Sequence, residues 1–245
     1  MASEPVVELR GVSLAYRLAH NRTGSFKQFL ISAVKRQVRY ERLWALSGIS
    51  FDVRPGEVFA VIGPNGAGKS TLMKVIARVL PPTDGRVIVR GSVAPMIELG
   101  AGFNGELTAA ENIVLYGALL GREPDFMRQR IHPIAQWAEL QEFLDVPIRS
   151  YSTGMLARLG FSVATDVAPQ LLIVDEVLSV GDEGFQRKSK ARIEEIMSKG
   201  TSVVLVSHSL DTVRAMAHRA MWLDHGEMKM LGAPEEVVGA YERVA

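Results

Sequence analysis

The feature that most constrains this chain is a glycine-rich stretch between a short apolar run and a helical pattern. The apolar run at 58–62 is typical of a buried strand, and the spacing over 72–77 is typical of a helix. The stretch between them reads Gly63, Pro64, Asn65, Gly66, Ala67, Gly68, Lys69, Ser70 and Thr71. Glycines at these positions let successive backbone N–H groups converge at the start of a helix, an arrangement that binds phosphate. The stretch therefore predicts a nucleotide-binding loop.

Two side chains at the end of this loop have separate expected roles. We expect Lys69 to contact the β- and γ-phosphates, which makes it a catalytic candidate, and Ser70 to be a ligand of Mg²⁺. The alternative is an ordinary glycine-rich turn. The complete pattern, in its strand-to-helix setting, favours the phosphate site.

Composition excludes several other classes of protein. The 245 residues are 47% apolar, which is enough for one sizeable core, so we expect a single domain over 1–245. The formal charge is +1, so nothing in the overall charge indicates a nucleic-acid partner. The chain has no cysteine, hence neither a disulfide nor a thiolate metal site. Neither a membrane-spanning run of about 20 apolar residues nor a signal peptide is evident, which predicts a soluble cytoplasmic chain.

Acidic residues follow the next strongly apolar run, at 171–174, which is typical of a buried parallel strand. Open α/β sheets bind ligands at the carboxyl ends of their strands. Asp175 is therefore predicted to hold Mg²⁺ through water, and Glu176 to be the base that polarises the attacking water. The run at 203–206 brings His208 to the same edge, where it is expected either to reach the γ-phosphate or to be structural. The alternative for Asp175 and Glu176 is that both are merely solvated acids at the end of a strand.

The N-terminal part combines a strand with a basic segment. Residues 6–16 are predicted to form an edge-type strand ending at Tyr16, which either stacks on a base or covers a sheet face. An insert over about 18–44 follows. Within it, residues 25–42 show the spacing of a basic amphipathic helix. Such a helix lies at a membrane surface or against a partner there, or it packs on its own domain with a solvated basic face.

The middle of the chain has mostly helical spacing. The helical pattern begins at Thr108, which forms a predicted capping box with Glu111, and it continues to about residue 165. Breaks are expected near 121–124 and 146–147, because glycine and proline occur there. This stretch predicts a helical insertion in an α/β protein.

The order of these motifs resembles the nucleotide-binding subunit of an ATP-binding cassette transporter. The order comprises the phosphate loop, the helical insertion, Tyr-Ser-Thr-Gly-Met at 151–155, the acid pair, Ser-Val-Gly-Asp at 179–182, and His208. The resemblance covers almost the whole chain. It implies an α/β fold, in which a P-loop NTPase core carries an N-terminal antiparallel β subdomain and a helical insertion subdomain. It also implies ATP as the nucleotide.

The implied division assigns the core and β subdomain to about 1–97 and 166–245, and the helical subdomain to about 98–165. The family signature is usually Leu-Ser-Gly-Gly-Gln, of which Ser152 and Gly154 remain, and Val177 stands where proline is usual.

Together with the stretch at 98–104 and the basic insert, these departures resemble the polysaccharide-exporting branch, which handles O-antigen, capsule, teichoic acid or galactan chains. Glu98 is the nearest candidate for the usual linker glutamine, which would place it near Mg²⁺. Some members of this branch carry a C-terminal carbohydrate-binding domain, and a tail-less type and a shortened chain are both open interpretations.

The resemblance also implies a mechanism and partners. The helix N-terminus at Ser152, Thr153 and Gly154 is expected to cover the γ-phosphate held by a second copy, so that a head-to-tail homodimer encloses two ATP molecules. The implied partners are a transmembrane permease and, indirectly, a lipid-linked glycan, at the cytoplasmic face of the inner membrane. The alternative is a soluble cassette ATPase or nucleotide switch without transport. That class usually shows tandem cassettes, a long coiled-coil insert or a basic cleft.

Overall fold

The computed structural model describes residues 4–19, 40–97, 99–175, 182–207 and 209–244. The strands are β1 Val7–Ala19, β2 Tyr40–Val53, β3 Val58–Ile62, β4 Asp84–Val89, β5 Val93–Pro95, β6 Leu171–Asp175, β7 Ser202–Val206, β8 Arg219–Asp224 and β9 Glu227–Gly232. The helices are α1 Lys69–Ile76, α2 Ala109–Leu119, α3 Pro124–Ala138, α4 Thr153–Thr165, α5 Glu183–Ser198, α6 Leu210–Met216 and α7 Pro234–Glu242. Short 3₁₀ turns occur at Gln141–Phe143 and Ile148–Ser150.

The strands form two sheets. One has three antiparallel strands in the order β2-β1-β4, and the other has six strands in the order β5-β6-β7-β3-β8-β9. In the larger sheet, β5, β6, β7, β3 and β8 run parallel to one another, and β9 is antiparallel to β8. This arrangement confirms the predicted α/β class with an antiparallel β part. The prediction of an edge-type first strand was wrong, because β1 lies between β2 and β4.

The central strands are buried because they are apolar on both faces. All five residues of β3 and all five of β7 are buried, as expected for parallel strands covered on both sides. On one side, Phe51 of the small sheet stacks on Phe59 of β3 with ring centroids 4.7 Å apart. On the other side, Phe161 of α4 and Phe185 of α5 are almost fully buried. Each such side chain contributes roughly 1.5–3 kcal/mol to folding through burial.

The helical part between β5 and β6 agrees with its sequence pattern. Thr108 and Glu111 form the predicted capping box: the Glu111 N–H donates to Thr108 Oγ1 at 3.3 Å, and the Thr108 N–H donates to Glu111 Oε2 at 2.8 Å. The expected break after α2 occurs at Gly121, where φ is +80°. In the described part of the chain, no helix combines the length and the apolar character that crossing a bilayer requires.

The predicted basic insert needs a correction at both ends. Strand β1 continues to Ala19 and β2 begins at Tyr40, with Arg17 paired to Arg42. Residues 40–42 are therefore in a strand and not at the end of a helix. Antiparallel pairing with β1 satisfies their backbone groups, and this long-range pairing overrides the local helical spacing. The rest of the predicted helix lies outside the described residues.

Candidate functional site

The phosphate loop begins at the centre of the larger sheet. Strand β3 ends between β7 and β8, and α1 begins after the loop at Lys69. Gly63 has a φ of +147°, and a Cβ there would lie 1.9 Å from the Leu223 carbonyl oxygen of β8. Gly68 is the N-cap of α1 with a φ of +102°. Only glycine fits these two positions, so the spacing of the glycines follows from the shape of the turn.

Lys69 lies inside this loop. Its side chain is buried, and its Nζ donates to the carbonyl oxygens of Gly63 at 2.7 Å and Pro64 at 2.9 Å. The first backbone N–H groups of α1 point in the same direction, because the first turn of a helix has no intrahelical acceptors for them. The positive end of the helix dipole adds to the field of the ammonium group. The loop is therefore a concentrated site of positive charge that suits a phosphate chain.

A cleft of about 690 Å³ opens above the loop and brings several predicted residues together. Tyr16 lines it, and its hydroxyl lies 3.3 Å from Thr71 Oγ1. Asp175 lines it from the carboxyl end of β6. The predicted residues in the lining are Tyr16, Asn65, Gly66, Gly68, Lys69, Ser70, Thr71 and Asp175. Parallel strands end at one edge of a sheet, which is why distant parts of the sequence meet here.

Sequence reasoning missed other residues of this cleft. Leu43, Trp44 and Ala45 of β2 line it, together with His225 and Gly226 of the turn between β8 and β9. The signal that the sequence offers for them is Trp44 itself. The helical spacing of the preceding basic residues assigns Trp44 to the basic insert, whereas the structure places it in β2, which pairs with the strand of Tyr16.

Three predicted catalytic or metal residues lie outside the described residues. They are Glu176, His208 and Glu98. Their expected roles stay predictions, although the neighbouring Asp175 lies in the cleft. The helix that follows Glu176 begins at the N-cap Asp182, whose carboxylate accepts the Phe185 N–H at 2.9 Å. This backbone hydrogen bond holds the pKa of Asp182 below its ordinary value.

The predicted second phosphate-covering group lies at the start of α4. Ser152 is the N-cap, and its Oγ accepts the Met155 N–H at 3.2 Å. Ser152 and Thr153 are exposed, and Gly154 is half-buried. None of the three is among the described residues that line the cleft over Lys69. The structure thus places an open helix N-terminus on the surface and apart from the lining of the phosphate cleft of the same chain.

The cleft also suits Mg²⁺. Mg²⁺ is usually held by one or two protein oxygens together with phosphate oxygens and water. Ser70 and Asp175 both line the cleft and supply a hydroxyl and a carboxylate. Within the described ranges, no group of three or more His, Cys, Asp and Glu side chains is arranged to hold a metal. The donor set therefore fits an ion that takes its remaining ligands from a bound nucleotide.

A second depression lies at the other end of α1. It has a volume of about 790 Å³ and lies between the end of α1, strand β5 and helix α2. Val79 and Leu119 line it, and they are 60% and 61% exposed. Single exposed apolar side chains are normal on a protein surface, so these two do not by themselves identify a ligand or a partner.

The mostly parallel sheet, the glycine loop with its buried lysine, and the acid at a strand end define a P-loop nucleotide-binding protein of α/β class. A sequence model described as ABC transporter matches residues 46–179. The chain belongs to the ABC transporter family, as an ATPase subunit that binds ATP.

Two curated relatives and one solved structure make the likeness more specific. The chain is 42% identical over 243 residues to the O-antigen export system ATP-binding protein RfbB of Klebsiella pneumoniae, covering 98% of each chain. It is 36% identical to the teichoic acids export ATP-binding protein TagH of Listeria monocytogenes, covering 96% of this chain and 69% of that protein. A dimeric ATP-binding cassette in a post-hydrolysis state with ADP and Pi shares the fold, with a TM-score of 0.71, 21% identity, and coverage of 93% and 98%.

Proposed function

We propose that this chain is the ATP-hydrolysing subunit that powers export of a lipid-linked polysaccharide through a separate membrane permease. The observation that carries the proposal is the 42% identity to an O-antigen export ATP-binding protein over 98% of both chains. The likeness to a teichoic acids export protein supports the same substrate class. In this function the chain is a peripheral protein at the cytoplasmic face of the inner membrane.

Nucleotide binding is assigned to the cleft above the phosphate loop. The N–H groups of the loop and the Lys69 ammonium bind the β- and γ-phosphates, since both converge on one space. Tyr16 contacts the base from β1, at the rim of the same cleft. The Lys69 side chain needs little rearrangement for this role, because its Nζ already lies within the loop, bonded to two loop carbonyl oxygens.

Hydrolysis is assigned to the groups at the ends of the strands. Glu176 accepts a proton from the attacking water, and His208 contacts the γ-phosphate. Ser70 and Asp175 would hold Mg²⁺, with Glu98 near it. Bound there, Mg²⁺ would neutralise charge that develops on the transferred phosphate.

The second half of each ATP site is assigned to another copy of the chain. The start of α4, at Ser152, Thr153 and Gly154, is open to solvent and carries unpaired helix N–H groups of the kind that bind phosphate. In a head-to-tail homodimer it covers the γ-phosphate on the partner's loop. ATP stabilises the closed dimer because it contacts both copies only in that state.

Two substitutions test the chemistry on the purified chain. Lys69→Ala should weaken ATP binding, because it removes a charge-assisted contact to the phosphates. Glu176→Gln should reduce the rate of hydrolysis by about 10²–10⁴-fold, the usual contribution of a general base, while ATP still binds. Normal turnover of Glu176→Gln would remove Glu176 from that role, and unchanged ATP affinity of Lys69→Ala would count against the phosphate site.

Export itself is tested in cells. Cells that contain only the Lys69→Ala chain should lose surface polysaccharide and accumulate lipid-linked glycan inside, at normal levels of the protein. A soluble cassette ATPase or nucleotide switch without a role in transport predicts unchanged surface polysaccharide. That result would contradict the export function and leave the ATPase assignment standing.

A further inference from the structure

Tyr151 is the last buried residue before the open N-terminus of α4. Its side chain is 8% exposed, whereas residues 152–158 are exposed or only partly buried, and the next buried residue along the helix is Leu159. The first turn of α4 therefore has a fully packed side chain before it and none within it. How the N-cap Ser152 is placed depends on how Tyr151 is held.

The side chain of Tyr151 joins the start of α4 to the 3₁₀ turn at Gln141–Phe143. Its hydroxyl donates to the Phe143 carbonyl oxygen at 2.7 Å. The two rings also pack edge to face, with their centroids 6.3 Å apart. Burial raises the pKa of Tyr151, so the hydroxyl stays protonated and remains a donor at neutral pH. A phenylalanine would keep the ring contact but could not donate this directional hydrogen bond.

Both ends of this hydrogen bond are held by the backbone. The Phe143 carbonyl oxygen also accepts the Val146 N–H at 3.0 Å, and a carbonyl oxygen has two lone pairs for two such donors. The Tyr151 N–H donates to Ile148 O at 3.0 Å, and the Ile148 N–H donates to Leu107 O at 3.0 Å. The hydroxyl thus connects two anchored segments, eight residues apart in sequence, immediately before the N-cap of α4.

We propose that Tyr151 is a positioning residue of the phosphate-covering site, because its hydrogen bond to Phe143 holds the start of α4 in the direction that meets the phosphate on the other copy. The inference rests on the proposed function, which gives the covering role to Ser152, Thr153 and Gly154. Without the hydroxyl, the start of α4 adopts several directions, and only a fraction of the chains are ready to cover a phosphate. The apparent affinity of the two copies for each other falls by that fraction.

The test removes only the hydroxyl, by Tyr151→Phe in the Glu176→Gln background. The dissociation constant of the dimer formed with ATP, measured by sedimentation, should rise by about two- to tenfold, in line with the net contribution of one hydrogen bond. The Kd of the monomer for ATP, measured by calorimetry, should stay unchanged, since Tyr151 is not among the described residues that line the cleft over Lys69. Tyr151→Leu should weaken the dimer at least as much, because it also removes the ring contact.

Tyr116→Phe is the matched control. Tyr116 lies in α2 of the same helical part, it is 4% exposed, and its ring packs edge to face on Phe103 with centroids 5.1 Å apart. This change also removes a buried hydroxyl, but one that does not adjoin the start of α4. Any effect of lower stability on dimerisation should therefore appear in both variants. We expect the dimer dissociation constant of Tyr116→Phe to match that of the chain with both tyrosines intact.

Hydrolysis gives a second readout, in the chain with Glu176 intact. The ATPase rate of Tyr151→Phe should be reduced at low protein concentration and should approach the unmodified rate at high concentration. The reason is that the proposed dimer is the species that hydrolyses ATP, and its catalytic groups are unaltered. A rate that is reduced by the same factor at every protein concentration would contradict a positioning role.

Two results of the dimerisation experiment would overturn the inference: an unchanged dissociation constant for Tyr151→Phe, or an equal rise for Tyr151→Phe and Tyr116→Phe. The second result would assign the effect to general stability. If the Glu176→Gln chain with Tyr151 intact formed no dimer with ATP, the proposed head-to-tail site itself would be contradicted. The failure of the inference and the failure of the proposed function are therefore distinguishable.

Discussion

The phosphate loop offers two glycines that both have a left-handed backbone but differ in what surrounds them. Gly66 and Gly68 both have left-handed φ values, +80° and +102°. A Cβ on Gly66 would meet nothing within 4 Å, whereas a Cβ on Gly68 would lie 2.5 Å from the carbonyl oxygen of Ala45. That oxygen belongs to the backbone of β2, at a bulge where Ala45 is an extra residue in the pairing with β1, and it cannot move aside as a flexible side chain would. Alanine at the two positions should therefore have unequal effects.

The expected loss of stability has two contributions, the left-handed backbone and the close contact with the Ala45 carbonyl oxygen. The left-handed backbone costs an alanine roughly 1–2 kcal/mol of folding free energy at either position. Only Gly68→Ala adds an overpacking cost of about 1–3 kcal/mol, because β2 must move away from the loop. Since about 1 kcal/mol shifts the Tm of a chain of this size by roughly 2–4 °C, Gly68→Ala should melt on the order of 5 °C below Gly66→Ala.

The measurement is thermal and urea unfolding of both variants without nucleotide, so that phosphate binding does not enter the comparison. Gly66→Ala is the control for the backbone cost. Trp44 emission in Gly68→Ala should also change without ligand, because the bulge beside Trp44 is displaced. Equal losses of stability in the two variants would refute the close contact between the loop and the bulge.

Two further predictions concern helix starts. Asn112 is fully buried, and its side chain donates to three backbone carbonyl oxygens and accepts one N–H in the segment before α2. Asn112→Ala should therefore lower the free energy of unfolding in urea by about 2–3 kcal/mol. A loss below about 0.5 kcal/mol would contradict this prediction. The Phe185 N–H lowers the pKa of Asp182, whose ordinary value is 3.8. The stability that this carboxylate contributes is therefore present above that value and lost as the pH falls through the lowered pKa. The difference in Tm between the unmodified chain and Asp182→Ala should shrink below pH 3.8, and a constant difference would contradict the N-cap interaction.

The parts that sequence predicts well are those decided by neighbouring residues. The phosphate loop follows from glycine spacing, because the positive φ values at Gly63 and Gly68 admit no other residue easily. The capping box of Thr108 and Glu111 is likewise local, since its two hydrogen bonds join residues three apart. The buried strands β3, β6 and β7 are recognisable as short continuous apolar runs.

The parts that sequence predicts poorly depend on contacts between distant segments. Residues 40–42 have helical spacing but pair with the far end of β1, and only the fold reveals that partner. Trp44 lines the cleft beside a bulge in β2, and no local pattern predicts an extra residue at Ala45. The turn at Gly226 reaches the loop only because β8 lies beside β3. These additions to the site are tertiary effects.

Helix α4 is anchored at one end and open at the other. At its C-terminal end, the Arg122 guanidinium donates to the carbonyl oxygens of Val163 at 2.6 Å, Ala164 at 3.1 Å and Val167 at 3.2 Å. Arg192 donates to the carbonyl of the last helical residue at 2.8 Å. Cations at a helix C-terminus also oppose its negative dipole end. Burial lowers the pKa of Arg122, yet the guanidinium remains a cation at neutral pH.

This anchor gives the last prediction, which concerns how α4 presents its N-terminus. Arg122→Met removes the three hydrogen bonds and should cost about 2–3 kcal/mol of unfolding free energy. Arg122→Lys should recover only part of this, because an ammonium group cannot reproduce the planar fork. The control is Arg128→Met, which breaks an exposed ion pair with Asp125 and should cost about 0–1 kcal/mol.

Loss of the Arg122 anchor should also have a functional effect, which distinguishes the two halves of the proposed ATP site: the phosphate loop of one copy and the start of α4 of the other. In the Glu176→Gln background, ATP should dimerise the chain, and Ser152→Arg should prevent this by obstructing the covering helix. Arg122→Met should also weaken the dimer, because α4 no longer holds its N-terminus in a fixed direction, while ATP affinity of the monomer stays unchanged. Sedimentation with ATP and calorimetry under monomeric conditions measure the two effects. If Arg122→Met dimerises as well as Arg128→Met does, the C-terminal anchor has no part in presenting the phosphate-covering end of α4.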